Sequence, residues 1–144
     1  MKTMRAKKMK IIVSILIVLL ANFSLSGCMN SKAKEVDEFN THAKSYGKLI
    51  RWRAFDDATE YNRPREIDLP EPDMKFLSEI KVTKYEIDSL VLSEEGDEAV
   101  VVAEITYYHE RINDVKTLKD QQLWWQDEET GRWYVDGGLP NFEP

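Results

Sequence analysis

The spacing of apolar positions changes three times along the chain. Ile11–Ala21 is apolar throughout except for Ser14. From Val36 the spacing becomes that of one helix stripe. Val36, Phe39, Ala43, Tyr46 and Ile50 follow at steps of three and four, which predicts a helix from Glu35 to Trp52. Glu35, Asp37 and Glu38 then load its first turn, and Lys44, Lys48 and Arg51 its later part, the order a helix dipole favours. Gly47 sits inside the stripe and weakens the pattern slightly. A second helical stretch is expected over Phe55–Tyr61. Asn62–Asp73, with Pro64, Pro70 and Pro72, reads as a loop, and a short helical turn should follow around Met74–Ile80. Beyond Ile80 the pattern turns to strands. Ile80–Leu92, Ala99–His109, Val115–Gln126 and Arg132–Asp136 are rich in β-branched and aromatic residues. The turns between them are so short that only antiparallel neighbours fit. Helices followed by an antiparallel meander make an α+β layout, with the N-terminal helices on one sheet face.

The chain has 144 residues, enough for one globular domain. Its net charge is −6, from 26 acids against 20 bases. Lys2, Arg5, Lys7, Lys8 and Lys10 precede Cys28 and no acid does, so the body beyond Cys28 is more acidic than the whole. Such a body is poorly suited to nucleic acid, whose phosphates are held by Lys and Arg. One cysteine excludes an intrachain disulfide. With only two histidines beside it, a structural zinc site is not expected, and no other cofactor is.

The apolar run at Ile11–Ala21 spans about 16 Å as a helix, roughly half a hydrocarbon core. A basic start, a short apolar middle and a small-residue exit describe an export signal; an uncleaved membrane helix is the alternative. The exit reads Leu25-Ser26-Gly27-Cys28. This resembles the bacterial lipoprotein box, in which a branched apolar residue and two small residues precede a cysteine. The resemblance implies cleavage before Cys28 and a diacylglycerol on its sulfur, and so a lipid-anchored protein of the bacterial envelope. Met29, where an Asp would favour the inner membrane, points by the same analogy to the outer membrane, facing the periplasm. The expected organisation is a signal peptide over residues 1–27, the lipidated cysteine and a short linker over 28–34, and one domain over 35–144. A linker of about five residues reaches at most ~18 Å, which keeps the domain near the bilayer.

The element order over Glu35–Asp136 is similar to the NTF2-like and cystatin-like folds, where a curved sheet wraps the N-terminal helix. Two segments add to the likeness. Arg53-Ala54-Phe55-Asp56-Asp57-Ala58 resembles the second-helix entry of NTF2-like chains, and Gly131-Arg132-Trp133-Tyr134-Val135 resembles their last strand. The chain is short of the full NTF2 strand count. The resemblance implies a homodimer formed on the outer sheet face.

Three aromatic doublets, Tyr107-Tyr108, Trp124-Trp125 and Trp133-Tyr134, fall on successive strands. Because side chains alternate, each doublet must put one ring on each sheet face. The apolar phase Val101, Ala103, Ile105, Tyr107 makes Tyr108 the outward member of its pair. The outward set reads either as a surface for a partner, a ligand or a second copy, or as cross-strand pairs that stabilise the sheet. Trp52 and Phe55 are candidates to line a pocket between helices and sheet. His42 reads as a helix-surface residue and His109 as a strand-end polar residue. Asp56 or Asp57 reads as a cap of the second helix, rather than as the carboxylate base of an NTF2-like isomerase. Glu94-Glu95-Gly96-Asp97-Glu98 lacks calcium-loop spacing and reads as a hairpin turn. Lys48, Arg51, Arg53, Arg63 and Arg65 either balance nearby acids or meet lipid headgroups. The function that follows is a non-catalytic binding or scaffolding module, holding a second copy or an envelope protein. The alternative is a small-molecule or lipid-binding pocket protein, possibly with enzymatic activity.

Overall fold

The computed structural model describes residues 27–144, with side chains from residue 32 onward. The expected export segment, with Leu25 and Ser26 of the expected cysteine box, lies outside the described residues, and so does the Cys28 side chain. The chain divides into two compact units, Met1–Glu35 and Val36–Pro144. The second carries the α+β fold.

Helix α1 runs Gly27–Trp52. It begins well before the expected Glu35, and residues 28–34 are helical. No proline and no internal glycine interrupts Cys28–Ser45, and Lys, Ala and Glu are good helix formers, so polarity alone does not stop the helix. The acids at 35, 37 and 38 therefore lie inside the helix and not in its first turn. Phe39, Ala43, Tyr46 and Ile50 form the buried stripe, whereas Val36 is 40% exposed and lies off it. The helix closes with a Schellman turn. Arg53 N–H donates to the Ile50 carbonyl at 3.1 Å and Ala54 N–H to that of Leu49 at 2.9 Å. Arg53 takes the left-handed conformation this turn needs, with φ of 62°.

Two short helices follow, α2 (Phe55–Thr59) and α3 (Met74–Ser78). Ala54 occupies the N-cap of α2 without a side-chain hydrogen bond. Asp56 and Asp57 stand in its first turn, so neither is the expected cap. At α3 the Asp73 carboxylate does cap, accepting from Phe76 N–H at 3.0 Å.

Four strands form one antiparallel sheet in the order β1-β2-β3-β4: β1 Ile80–Leu92, β2 Glu98–His109, β3 Val115–Gln126 and β4 Trp133–Val135. All four stand where the sequence predicts them, to within one residue at each end. Irregularities in β1 between Val82 and Lys84 and between Ile87 and Ser89 shift its pairing with β2. The turn from β1 to β2 is built on Ser93, whose hydroxyl accepts from Gly96 N–H at 3.0 Å and Glu98 N–H at 3.1 Å. Gly96 has φ of 84° there. Asn62 forms a parallel bridge with Val135, which brings the proline-rich loop alongside β4.

Burial alternates strictly along β2, where Val101, Ala103, Ile105 and Tyr107 face the core. The core is aromatic at its centre. Trp124 meets Phe39 at 5.6 Å, Tyr46 at 5.5 Å and Tyr61 at 5.9 Å, all edge to face. Trp133 lies tilted against Phe39 at 4.5 Å. At Gly47 the helix lies close against the Tyr85 ring of the sheet. A Cβ added there would come within 2.8 Å of Tyr85 Cδ1.

Candidate functional site

The doublets divide between the faces as alternation requires. Tyr107, Trp124 and Trp133 are buried, while Tyr108, Trp125 and Tyr134 are half-buried on the outer face. They do not form one surface. Tyr108 pairs with Val115, but Trp125 pairs with Glu98, ten residues earlier along β2 and so about 33 Å away. The reason lies in the meander itself. The ends of successive antiparallel strands lie at opposite ends of the sheet, and both doublets close their strands.

At one end, the outer rings are roofed. Trp125 and Tyr134 lie 5.5 Å apart. The Arg63 guanidinium stands 5.6 Å over Trp125 and 5.1 Å over Tyr134, and that of Arg65 is 5.8 Å over Trp125. Trp125 Nε1–H donates to the Arg63 carbonyl at 3.0 Å. Both arginines are fixed by acids of the sheet. Arg63 pairs with Asp127 at 3.2 Å, and Arg65 with Glu98 at 2.6 Å and Asp136 at 3.0 Å. Of the two sequence readings of these bases, the pairing with acids holds at Arg63 and Arg65. Backbone N–H of Arg65 first, and its guanidinium second, hold the Asp136 carboxyl below its ordinary range. The Thr130 hydroxyl does the same for Asp127.

Next to this roof the outer face is open and apolar. Val91, Val100 and Leu123 stand in register across β1, β2 and β3. Val91 is 63% exposed and Leu123 46%. Further along, Lys84 pairs with Glu86 and Glu104 at 2.8 and 3.5 Å, making the middle of the face polar.

The inner face holds a polar cluster that sequence reasoning missed. Gln122 is buried on β3. Its Nε2 donates to Asp120 Oδ2 at 2.7 Å and to the Tyr85 hydroxyl at 2.9 Å, and its Oε1 accepts from Trp124 Nε1–H at 3.1 Å. The Tyr46 hydroxyl lies nearby, fully buried and without a hydrogen-bond partner. Burial pushes the Asp120 carboxyl up and the Tyr85 phenol to about 12; it also raises Tyr46, with the Asp120 charge adding to the shift. The signal was present in the sequence. Once Trp124 is assigned inward, counting back by twos places Gln122 and Asp120 on the same face.

Trp52 and Phe55 do not share a pocket. Phe55 is buried against Phe142 at 5.8 Å, whereas Trp52 is 76% exposed, with Arg51 at 5.6 Å. The Schellman turn between them sends the two side chains apart. Trp52 lines a groove of about 360 Å³ with Arg53, Lys81 and Tyr108 instead. A second cleft, of about 770 Å³, lies between the proline-rich loop and the C-terminal tail.

His42 is exposed on the helix, as expected. His109 is buried, more engaged than a strand-end residue need be. Its Nε2 meets Glu79 Oε2 at 3.0 Å, its Nδ1 accepts from Arg111 N–H at 3.2 Å, and its ring lies 5.7 Å from Phe76. Arg111 completes the group through Glu79 Oε1. Among the described residues, no cluster of three or more His, Cys, Asp or Glu is placed to hold a metal ion, and no helix is long and apolar enough to cross a membrane.

No family model matches the chain, and no curated protein matches it. Among solved structures, it is similar to the solution structure of a SEC-C motif containing protein from Rhodopseudomonas palustris, with 18% identity and a TM-score of 0.49 over 66% of this chain and 72% of that one.

Proposed function

We propose that this is a lipid-anchored protein of the bacterial envelope, held by a diacylated Cys28 at the periplasmic side of the outer membrane, and that its domain is a non-catalytic binding or scaffolding module. The finer fold within the α+β class is NTF2-like or cystatin-like. The anchor reading rests on the order of basic segment, short apolar run and Leu25-Ser26-Gly27-Cys28. Intact mass spectrometry of envelope extracts tests it: a chain beginning at acylated Cys28 is expected, and an unprocessed Met1 without acyl mass overturns it.

The observation that carries the binding role is the outer sheet face. A strip of Val91, Val100 and Leu123 stands in register, exposed at Val91 and Leu123 and continuous with Trp125 and Tyr134 under their arginines. Large apolar side chains in contact with water gain by being covered, at about 25 cal/mol per Å². A second copy presents the same strip and can cover it around a two-fold axis. Sedimentation of the full chain in density-matched detergent should show a dimer that Leu123→Glu dissociates. A strict monomer at high micromolar concentration removes this reading.

The second reading, a pocket protein with enzymatic activity, draws on the inner cluster of Asp120, Tyr85 and Tyr46. A carboxyl raised by burial beside phenols is the equipment of a general base. Against it, the space between helix and sheet is filled by Phe39, Tyr46 and Trp124.

A further inference from the structure

The cleft of about 770 Å³ has a consistent chemical character. Its floor is apolar, with Leu69, Phe76, Leu77 and Phe142, and its rim carries Asp68 and Glu71. No Lys, Arg or His lines it. Four of the lining residues bring no backbone donor. Pro64, Pro70, Pro72 and Pro140 offer carbonyls but have no N–H. Several other lining donors are spent inside the fold. Asn62 N–H goes to the Thr59 carbonyl at 2.9 Å, Leu77 N–H to that of Asp73 at 2.9 Å, and Phe142 N–H to that of Pro140 at 2.9 Å. Phe76 N–H is taken by the Asp73 carboxylate, and the Thr59 hydroxyl by the Asp56 carbonyl at 2.6 Å. The cleft is thus an apolar surface with acceptors and negative charge around it, beside the side chains of Asn62 and Asn141. Its volume is that of a site for a drug-sized molecule.

We propose that this cleft binds an organic cation, a small molecule with an ammonium head on an apolar, ring-sized body. The body fills the floor between Phe76 and Phe142, and the head donates to the rim carboxylates of Asp68 and Glu71 and to the proline carbonyls. A carboxylate ligand of the same shape meets like charge at Asp68 and Glu71, so it is rejected. The four prolines fix φ along both walls, so little chain entropy is lost when the ligand enters. The site is separate from the outer sheet face, and its occupancy does not depend on the dimer.

The test uses the full chain in phosphatidylcholine nanodiscs, with saturation-transfer NMR of three probes of one shape: phenethylammonium, 2-phenylethanol and phenylacetate. Empty nanodiscs report partitioning into lipid. Phenethylammonium should saturate, 2-phenylethanol should bind about ten-fold more weakly, and phenylacetate should not saturate. Added salt should weaken only the cation. Asp68 and Glu71 are exposed, so Asp68→Asn with Glu71→Gln leaves the fold intact and should lower the cation to the level of the alcohol. Gly138→Trp places a ring in the cleft at a glycine whose added Cβ would meet only Leu69 Cδ1, at 3.5 Å, and should abolish binding of all three. Equal affinity for the three probes overturns the proposal. So does a preference for the cation that survives the double substitution, or an absence of saturable binding by phenethylammonium.

Discussion

Two residues at the end of the first helix show how backbone geometry overrides side-chain preference. Arg53 occupies the left-handed position that closes α1, with φ of 62°. For a residue with a Cβ that conformation costs about 1–2 kcal/mol, and glycine avoids the cost. Arg53→Gly should therefore raise stability by up to about 1 kcal/mol, part of the gain being offset by the greater freedom of glycine in the unfolded chain. Thermal unfolding checks the sign: a fall in Tm would mean that the arginine side chain matters more than its backbone. Gly47 behaves in the opposite way. In an exposed helix interior, Gly→Ala gains about 1 kcal/mol. Here the new methyl enters the space of the Tyr85 ring, which is tied through its hydroxyl to buried Gln122. Overpacking of this kind costs about 1–3 kcal/mol, so Gly47→Ala should destabilise. In a Tyr85→Ala background the same change should become neutral or stabilising. A double-mutant cycle by chemical denaturation measures that reversal.

At the scale of elements, the first hairpin hangs on one hydroxyl. Ser93 accepts from the N–H groups of Gly96 and Glu98 and donates to Asp97 Oδ1 at 3.1 Å. Ser93→Ala should cost about 1–2 kcal/mol and speed amide exchange at Gly96 and Glu98 while leaving that at Ile105 set by global unfolding. Unchanged exchange at the turn would show that water replaces the hydroxyl without loss. The strands themselves were legible because β-branched and aromatic composition marks all four, and along β2 it agrees with a strict period-two burial. The start of α1 was not, because a polar helix and a polar linker look alike when no residue forbids helix. The doublets were half legible. Alternation fixed one ring per face, but treating three doublets as one platform ignored that Tyr108 and Trp125 close successive antiparallel strands. Asp120 went unread for a related reason: its face depends on that of Trp124, two turns of the pleat away, and the doublet Trp124-Trp125 is ambiguous until the helix side is known. The Arg63 and Arg65 roof joins residues more than 60 positions apart to Asp127 and Asp136 through a loop with no period at all, and local sequence carries no trace of such a pairing.

For the whole molecule, the acids act on stability in two opposing senses. Asp127, Asp136 and Glu110 are held below their ordinary values, by the Thr130 hydroxyl, the Arg65 backbone N–H and the Lys81 ammonium in turn. A depressed carboxyl stabilises the fold above its unfolded value, and that contribution is lost as pH falls through the folded one. Glu110 is half exposed, and so are the arginines that pair with Asp127 and Asp136, so each effect is small and weakened by salt. Asp120 runs the other way. Burial raises it, so its proton binds more tightly in the folded chain than in the unfolded one. Its favourable contribution is fully present below the unfolded value near 3.8 and is lost as pH rises through the raised folded value, above which a partly buried charge remains. Asp120→Asn removes that charge while keeping an oxygen to accept from Gln122 Nε2. The variant should therefore unfold at a higher temperature than the parent at pH 7. Between pH 7 and pH 3 it should lose more, because the parent recovers stability when Asp120 takes up its proton and the variant cannot. Melting curves of both chains at the two pH values decide the matter. If the difference in Tm between them is the same at pH 7 and pH 3, Asp120 is not the buried acid that sets this balance. The inner cluster then owes its form to Gln122 and Tyr85 alone.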